Sequence, residues 1–266
     1  MGWTLDDIGW DGFDATAVDA GLLALVKAAA LVEANADDYV AYLCGVFAGD
    51  EAFLAEVARW GVEEAQHGAA LGRWAMLADP AWDFTAALAI FRAGYRIETQ
   101  ATASIRGSRA AELLARQVVE TGTASFYTAL RDAGSEPVLR QIAGRIAADE
   151  FAHYRLFART AAALPPLPLR ERLRVAATRF AEAGDDELGW AWFAANVQPV
   201  DPAARYATRI HTRAYAAHAM RLYRRPHVDS GVAMTLRAVR LRHGGGLSRW
   251  LSGLLWGALS LRRAFA

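Results

Sequence analysis

The sequence predicts an all-α protein, and three observations carry that expectation. Stretches rich in Ala, Leu, Glu and Arg run long and uninterrupted, as strong helix formers do. Only 8 of the 266 residues are proline, and three of these cluster in "LPPLPL" at 164–169. No segment alternates apolar and polar residues between turn signals as a strand would. With 54% hydrophobic and 22% charged residues, the chain suits one large domain or a domain with an appendage.

Apolar positions at helical spacing over 18–48 predict a first helix, capped by Asp19 and broken at "AGDE". A second runs from about Asp50 to Leu77 and stops before "ADPAW". Residues 84–106 read as an apolar helix ending at "RGSR". Ser108 caps a third major helix that reaches Asp132. Pro137 opens a fourth, in a first turn where its missing N–H costs little, and this helix reaches about Ala163. Helices of about 25 residues, at 1.5 Å per residue, pack as an antiparallel bundle. Residues 84–106 then form the crossover between its halves. The expected organisation is a bundle over 1–165 and additional helices over 166–266. Within the latter, 169–183, 203–225 and 230–243 read as shorter helices. "HGGGLSRW" is a flexible joint, and 247–265 is a last apolar helix edged by Arg249, Arg262 and Arg263.

The single cysteine, Cys44, excludes an internal disulfide and any CxxC knuckle. "MGWTLDDIGWDGFD" is acidic and lacks the basic and apolar runs of a secretory signal, so a cytoplasmic location is expected. The net charge is zero, yet from Asp201 onward twelve arginines face only Asp201 and Asp229. The last 66 residues thus carry +10 and the first 200 carry −10. Such asymmetry predicts a surface for an acidic partner. Nucleic acid is not expected, because the basic segment holds no recognisable reader module. The uncharged run from Trp250 to Leu261 is short of the ~20 residues that span a bilayer. It either docks on the bundle or a second copy, or lies peripherally in a membrane interface.

The chemistry sits in a pseudo-repeat. "WGVEEAQHG" at 60–68 places Glu64 and His67 at i and i+3 on one helix face, with Trp60 one turn earlier. "IAADEFAHYRLF" repeats the pair with Glu150 and His153. Each of the other two major helices offers a glutamate inside an apolar stretch, Glu33 and Glu120. His67 and His153 are the only histidines in the first 200 residues, and both follow a glutamate by three. Two helix pairs each giving Glu, then Glu-x-x-His, form the ligand set of di-metal carboxylate bundles. Hard oxygen donors with one imidazole per ion suit iron, with manganese possible at one site. Four carboxylates neutralise a diferrous pair inside an apolar bundle.

Three short blocks carry a resemblance to the soluble acyl-carrier-protein desaturases of the ferritin-like superfamily. "WGVEEAQHG" resembles that family's W-x-x-E-E-x-x-H-G, "IAADEFAH" its I-A-A-D-E-x-x-H, and "ETGT" places Thr123 three residues after Glu120. The likeness covers roughly residues 30–160. It implies a ferritin-like bundle in which Glu33, Glu64, His67, Glu120, Glu150 and His153 ligate two irons. Asp149 would accept from a ligand imidazole, Trp60 would lie on the electron route, and Thr123 would stand beside the oxygen-binding face. The implied reaction uses O2 to remove two hydrogens from a fatty acyl chain, leaving a cis double bond. It needs a dry, apolar cavity, and its partners would be an acyl carrier protein, a ferredoxin-type electron donor and a second copy in a homodimer. The chain is shorter than the plant enzymes and shows no counterpart to their C-terminal region. Hydroxylation or N-oxygenation on the same site is the nearest alternative, although "RIAAD" lacks the extra histidine common in N-oxygenases. Iron storage is the other, against which stand the basic tail and about a hundred extra residues.

Overall fold

A computed structural model describes residues 2–182 and 186–264. Its regular structure is helical, and no strand occurs among the described residues. The helices are α1 (Ala20–Glu33), α2 (Ala36–Val46), α3 (Glu51–Ala78), α4 (Phe84–Gly94), α5 (Arg109–Ala133) and α6 (Pro137–Ala162), then α7 (Leu169–Glu182), α8 (Asp186–Asn196), α9 (Thr208–Leu222), α10 (Arg225–Ala238) and α11 (Gly246–Ala264). Short 3-10 turns precede them between Leu5 and Ala17. Among the described residues no helix is long and apolar enough to cross a membrane.

Side-chain caps fix the starts of the bundle helices. Asp19 accepts from Leu22 N, Asp50 from Phe53 N, Asp83 from Ala86 N and Ser108 from Ala111 N. Each satisfies a donor that the first turn leaves orphaned. At α6 the cap is Glu136, buried, which accepts from Val138 N at 3.2 Å and Leu139 N at 2.7 Å. The same carboxylate takes the Trp74 indole N–H at 2.6 Å and Asp14 N at 3.1 Å, tying α3 and the N-terminal segment to this corner. The three-residue link Gly134–Glu136 makes α5 and α6 an antiparallel hairpin. α3 packs against α1, α2 and α6, closing the bundle.

Four expectations are corrected. The helix expected over 18–48 is two helices, interrupted at Ala34–Asn35. No Pro or Gly marks the break. It is held by Arg92, whose Nε donates to Asn35 Oδ1 at 3.1 Å and whose Nη2 donates to the Ala34 carbonyl at 2.7 Å. The helix expected over 84–106 ends at Gly94. The segment after it is pinned by tertiary bonds instead: Ile105 N donates to the Tyr42 hydroxyl, Ser104 Oγ to Glu112, and Gly107 turns the chain at φ +95° before the Ser108 cap. α10 runs from Arg225, with Pro226 in its first turn, to Ala238, rather than over 230–243. α9 starts at Thr208 rather than 203 and ends at Leu222, short of 225. The expected last residues of 169–183 and 247–265, Ala183 and Phe265, lie outside the described residues.

α8 went unread in the sequence. Its run "GWAWFAA" is apolar all round, so it carries no amphipathic period. Ala191, Trp192, Ala194 and Ala195 join Leu25, Ala28, Leu71 and Ile146 in the largest core cluster, so the hydrophobic interior is continuous across residue 165.

Candidate metal centre

Two glycines in the 60–68 block bring the first and second helical segments together. A Cβ on Gly61 would stand 2.4 Å from Val40 Cγ2, and one on Gly68 would stand 2.6 Å from the Ala34 backbone N. Glycine inside a helix costs about 1 kcal/mol relative to Ala. Here it lets α3 run directly against the α1–α2 break, which sets Glu33, the last residue of α1, beside His67. The imidazole Nδ1 of His67 lies 3.7 Å from Glu33 Oε2 and 3.4 Å from Glu150 Oε1. On the other side, His153 Nδ1 lies 3.0 Å from Glu64 Oε1 and 3.8 Å from Glu120 Oε2. All six side chains are buried, with Glu64 the most exposed at 8%.

These atoms form two overlapping groups. Glu33, Glu64, His67 and Glu150 make one, and Glu64, Glu120, Glu150 and His153 make the other, with the donor atoms of each within 4.8 Å of one another. Glu64 and Glu150 belong to both. Four of the inward atoms, Glu64 Oε1, Glu150 Oε1 and both Nδ1 atoms, are buried without a hydrogen-bond partner. Four orphaned polar atoms around one point would be costly in a finished core. Cation coordination satisfies all four at once, so the residues fit a metal site.

The outward atoms explain the orientation. His67 Nε2 lies 3.0 Å from Asp149 Oδ2, and His153 Nε2 lies 2.8 Å from Glu63 Oε2. A carboxylate accepting at Nε2 selects the tautomer that leaves Nδ1 as a ligand. Asp149 and Glu63 each immediately precede the glutamate of an E-x-x-H pair, so the pseudo-repeat extends one residue further than the sequence reading took it. Glu63 is the residue at the cluster that the sequence pattern left unassigned, and its register opposite Asp149 was the available signal.

Two more contacts came without a signal. Trp3, in the non-periodic N-terminal segment, stacks on His67 with ring centroids 6.0 Å apart, and its Nε1 donates to Asp149 at 2.6 Å. The buried Tyr127 hydroxyl donates to Glu33. Trp60 is brought to the site, but edge-on to His153 at 6.5 Å between centroids and with its indole N–H unpartnered. The hydrogen-bonded tryptophan is therefore Trp3. The Thr123 hydroxyl donates to Glu150 and also lies within reach of the Glu120 carbonyl at 3.3 Å.

Burial raises Glu64 well above the ordinary 4.5, reinforced by Glu150 and Glu33. Burial likewise raises Glu120, with Glu150 and Glu64 adding to it. Burial opposes charge on both imidazoles, yet the surrounding carboxylates prevail. Asp149, Glu150 and Glu33 lift His67 well above 6.5, and Glu63 and Glu120 lift His153. Glu150, although buried, is held down to about 2 by His67 and His153. Without a cation the cluster is thus compensated by protons, and a cation replaces them.

A cavity of about 300 Å³ opens onto the cluster. Val32, Ala36, Trp60 and Val119 line it near Glu33, Glu64, Glu120 and Glu150. The wall is not the apolar one expected throughout, because Tyr39, Tyr95 and the ion pairs Arg106–Glu182 and Arg116–Glu112 also line it. Arg116 stacks on Tyr39 at 4.7 Å, and Arg106 donates two hydrogen bonds to Glu182.

No protein-family model matches the chain, and no curated protein matches it. The chain is an all-helical bundle with a buried Glu/His cluster suited to a metal site.

Proposed function

We propose that the protein is an O2-dependent diiron oxidoreductase acting on an unactivated C–H bond, and that its reaction is desaturation of a fatty acyl chain. The observation that carries the reading is the sharing of Glu64 and Glu150 between two four-donor groups, each completed by one glutamate and one imidazole. Glu33 and His67 would complete one ion's ligands, and Glu120 and His153 the other's. A pair of irons held there would activate O2, which is the oxidant and leaves as water with the two hydrogens removed and two electrons from the external donor.

The remaining roles belong to the chain itself. Asp149 and Glu63 hold the imidazoles in one tautomer. Thr123, on the wall of the cavity, places a hydroxyl proton at Glu150. Val32, Ala36 and Val119 keep water from the reacting carbon and place it beside the cluster. Support for an acyl substrate comes from the three sequence blocks and this apolar inner wall. An acyl carrier and a ferredoxin-type donor, both acidic in this reading, suit the +10 charge of residues 201–266.

A second reading, hydroxylation of a smaller molecule with a polar end, is favoured by the outer wall of Tyr39, Tyr95, Arg106 and Arg116. The test is single-turnover oxidation of acyl-loaded carrier protein by the iron-loaded, chemically reduced chain, read by mass spectrometry. Loss of two hydrogens supports desaturation, gain of one oxygen supports hydroxylation, and O2 consumption with an unchanged acyl chain contradicts the acyl substrate.

A further inference from the structure

α11 carries apolar side chains on two faces: Leu251, Leu255 and Leu259 line an apolar groove shared with α9 and α10, and a second row points away from the protein. Leu247 is 46% exposed, Trp250 61%, Leu254 53% and Leu261 62%. At 100° per residue these four, with the exposed Ala258 between them, form one stripe along the helix. From Leu247 to Leu261 the stripe runs about 21 Å at 1.5 Å per residue. The side turned to the protein carries the buried Ser248 and Ser252 beside Leu251 and Leu259. A helix that only completed the core would not leave this second apolar row in water.

This orientation is anchored. Arg263 Nε donates to the Met220 carbonyl at 2.8 Å, and Nη2 donates to the Met220 and Tyr223 carbonyls at the end of α9. The Arg263 guanidinium also lies over Trp256 at 5.4 Å. α11 is therefore fastened at its C-terminal end with the apolar stripe facing out.

The surroundings decide what covers the stripe. Between Ser230 and the last residue there is no Asp or Glu, whereas Arg237, Arg240, Arg242, Arg249, Arg262 and Arg263 lie there. Arg242, Arg249 and Arg262 are exposed. We propose that α11 lies in the interface of an anionic lipid bilayer, its outward leucines and Trp250 among the acyl chains and Arg249 and Arg262 at the headgroups. Exposed leucine and tryptophan flanked only by positive charge match such a surface. An acidic carrier protein would meet the arginines but leave the stripe in water, and a second copy would bring like charges together.

The test is co-sedimentation of the full chain with vesicles of phosphatidylcholine alone and of phosphatidylcholine mixed with phosphatidylglycerol, at low and raised salt. The expected result is binding to the mixed vesicles that weakens roughly tenfold on raising salt or omitting phosphatidylglycerol. Replacing Leu247, Trp250, Leu254 and Leu261 together by serine should abolish it, with unchanged helical circular dichroism. Arg249→Gln with Arg262→Gln, a milder change at two exposed positions, should weaken it severalfold. No vesicle binding, equal binding to both vesicle types, or equal binding by the serine variant would each overturn the proposal. A wild-type dimer in solution that the serine variant dissolves, without vesicle binding, would assign the stripe to a second copy.

Discussion

The rings of His67 and His153 face each other with centroids 5.9 Å apart, each aiming an unpartnered Nδ1 at the same buried carboxylates. Their outer nitrogens meet carboxylates from opposite strokes of the repeat, Asp149 for His67 and Glu63 for His153. The pairing is reciprocal, since each E-x-x-H helix orients the imidazole of the other.

That reciprocity makes Asp149→Asn and Glu63→Gln comparable perturbations. Each keeps the side-chain shape and removes the charge that fixes a tautomer. Each is expected to weaken metal binding by about 10–100-fold while leaving the helical content unchanged. Competition against a chelator of known affinity measures it. Equal affinity in both variants and the wild type would leave these carboxylates without an orienting role.

The pH dependence of stability follows from four groups that share a sign. Glu64 and Glu120 are raised above 4.5, and His67 and His153 above 6.5, so the metal-free folded chain holds protons that the unfolded chain has released. Their contribution is complete below those ordinary values and is lost as pH rises through the raised ones. Glu150, lowered to about 2, acts oppositely and only below 4.5. The melting temperature of the metal-free protein should therefore fall as pH rises from 4.5 past 6.5. The metal-loaded protein should gain over it as pH rises, since ligands must release protons to bind. Parallel thermal melts across pH with and without iron check this. A metal-dependent increment that shrinks with rising pH would contradict it.

Glu136 is the test of the scaffold apart from the site. Its carboxylate satisfies Val138 N, Leu139 N, Asp14 N and the buried Trp74 indole together. Glu136→Ala leaves these donors stranded and should cost about 3 kcal/mol, the range for losing a helix cap and a buried charged acceptor. Denaturant unfolding reads the loss. A change under about 0.5 kcal/mol would show that water replaces the carboxylate.

The bundle helices and all six clustered residues were legible because each lies on a strongly periodic helix with the second half of the pattern repeating the first. Glu63 was legible by the same register, but its neighbour Glu64 drew the reading. Trp3 was not, since 146 residues separate it from Asp149 and its segment has no period. The break after Glu33 was hidden because the apolar pattern continues through Ala34 and Ala36, and the interaction that holds it comes from Arg92 on α4. Ile97, Ala101 and Ile105 mimic a helical stripe, yet the chain there is irregular, with Ile97 and Ala101 packed on the cluster of Tyr42 and Phe47.

The most direct measurement is the metal content of the chain reconstituted anaerobically with ferrous iron and freed of excess. Two irons per chain in the wild type, falling in Glu64→Ala and Glu150→Ala, which remove donors common to both groups, is the predicted result. Fewer than one iron per chain in the folded wild type, or two that persist in both variants, would contradict a shared centre.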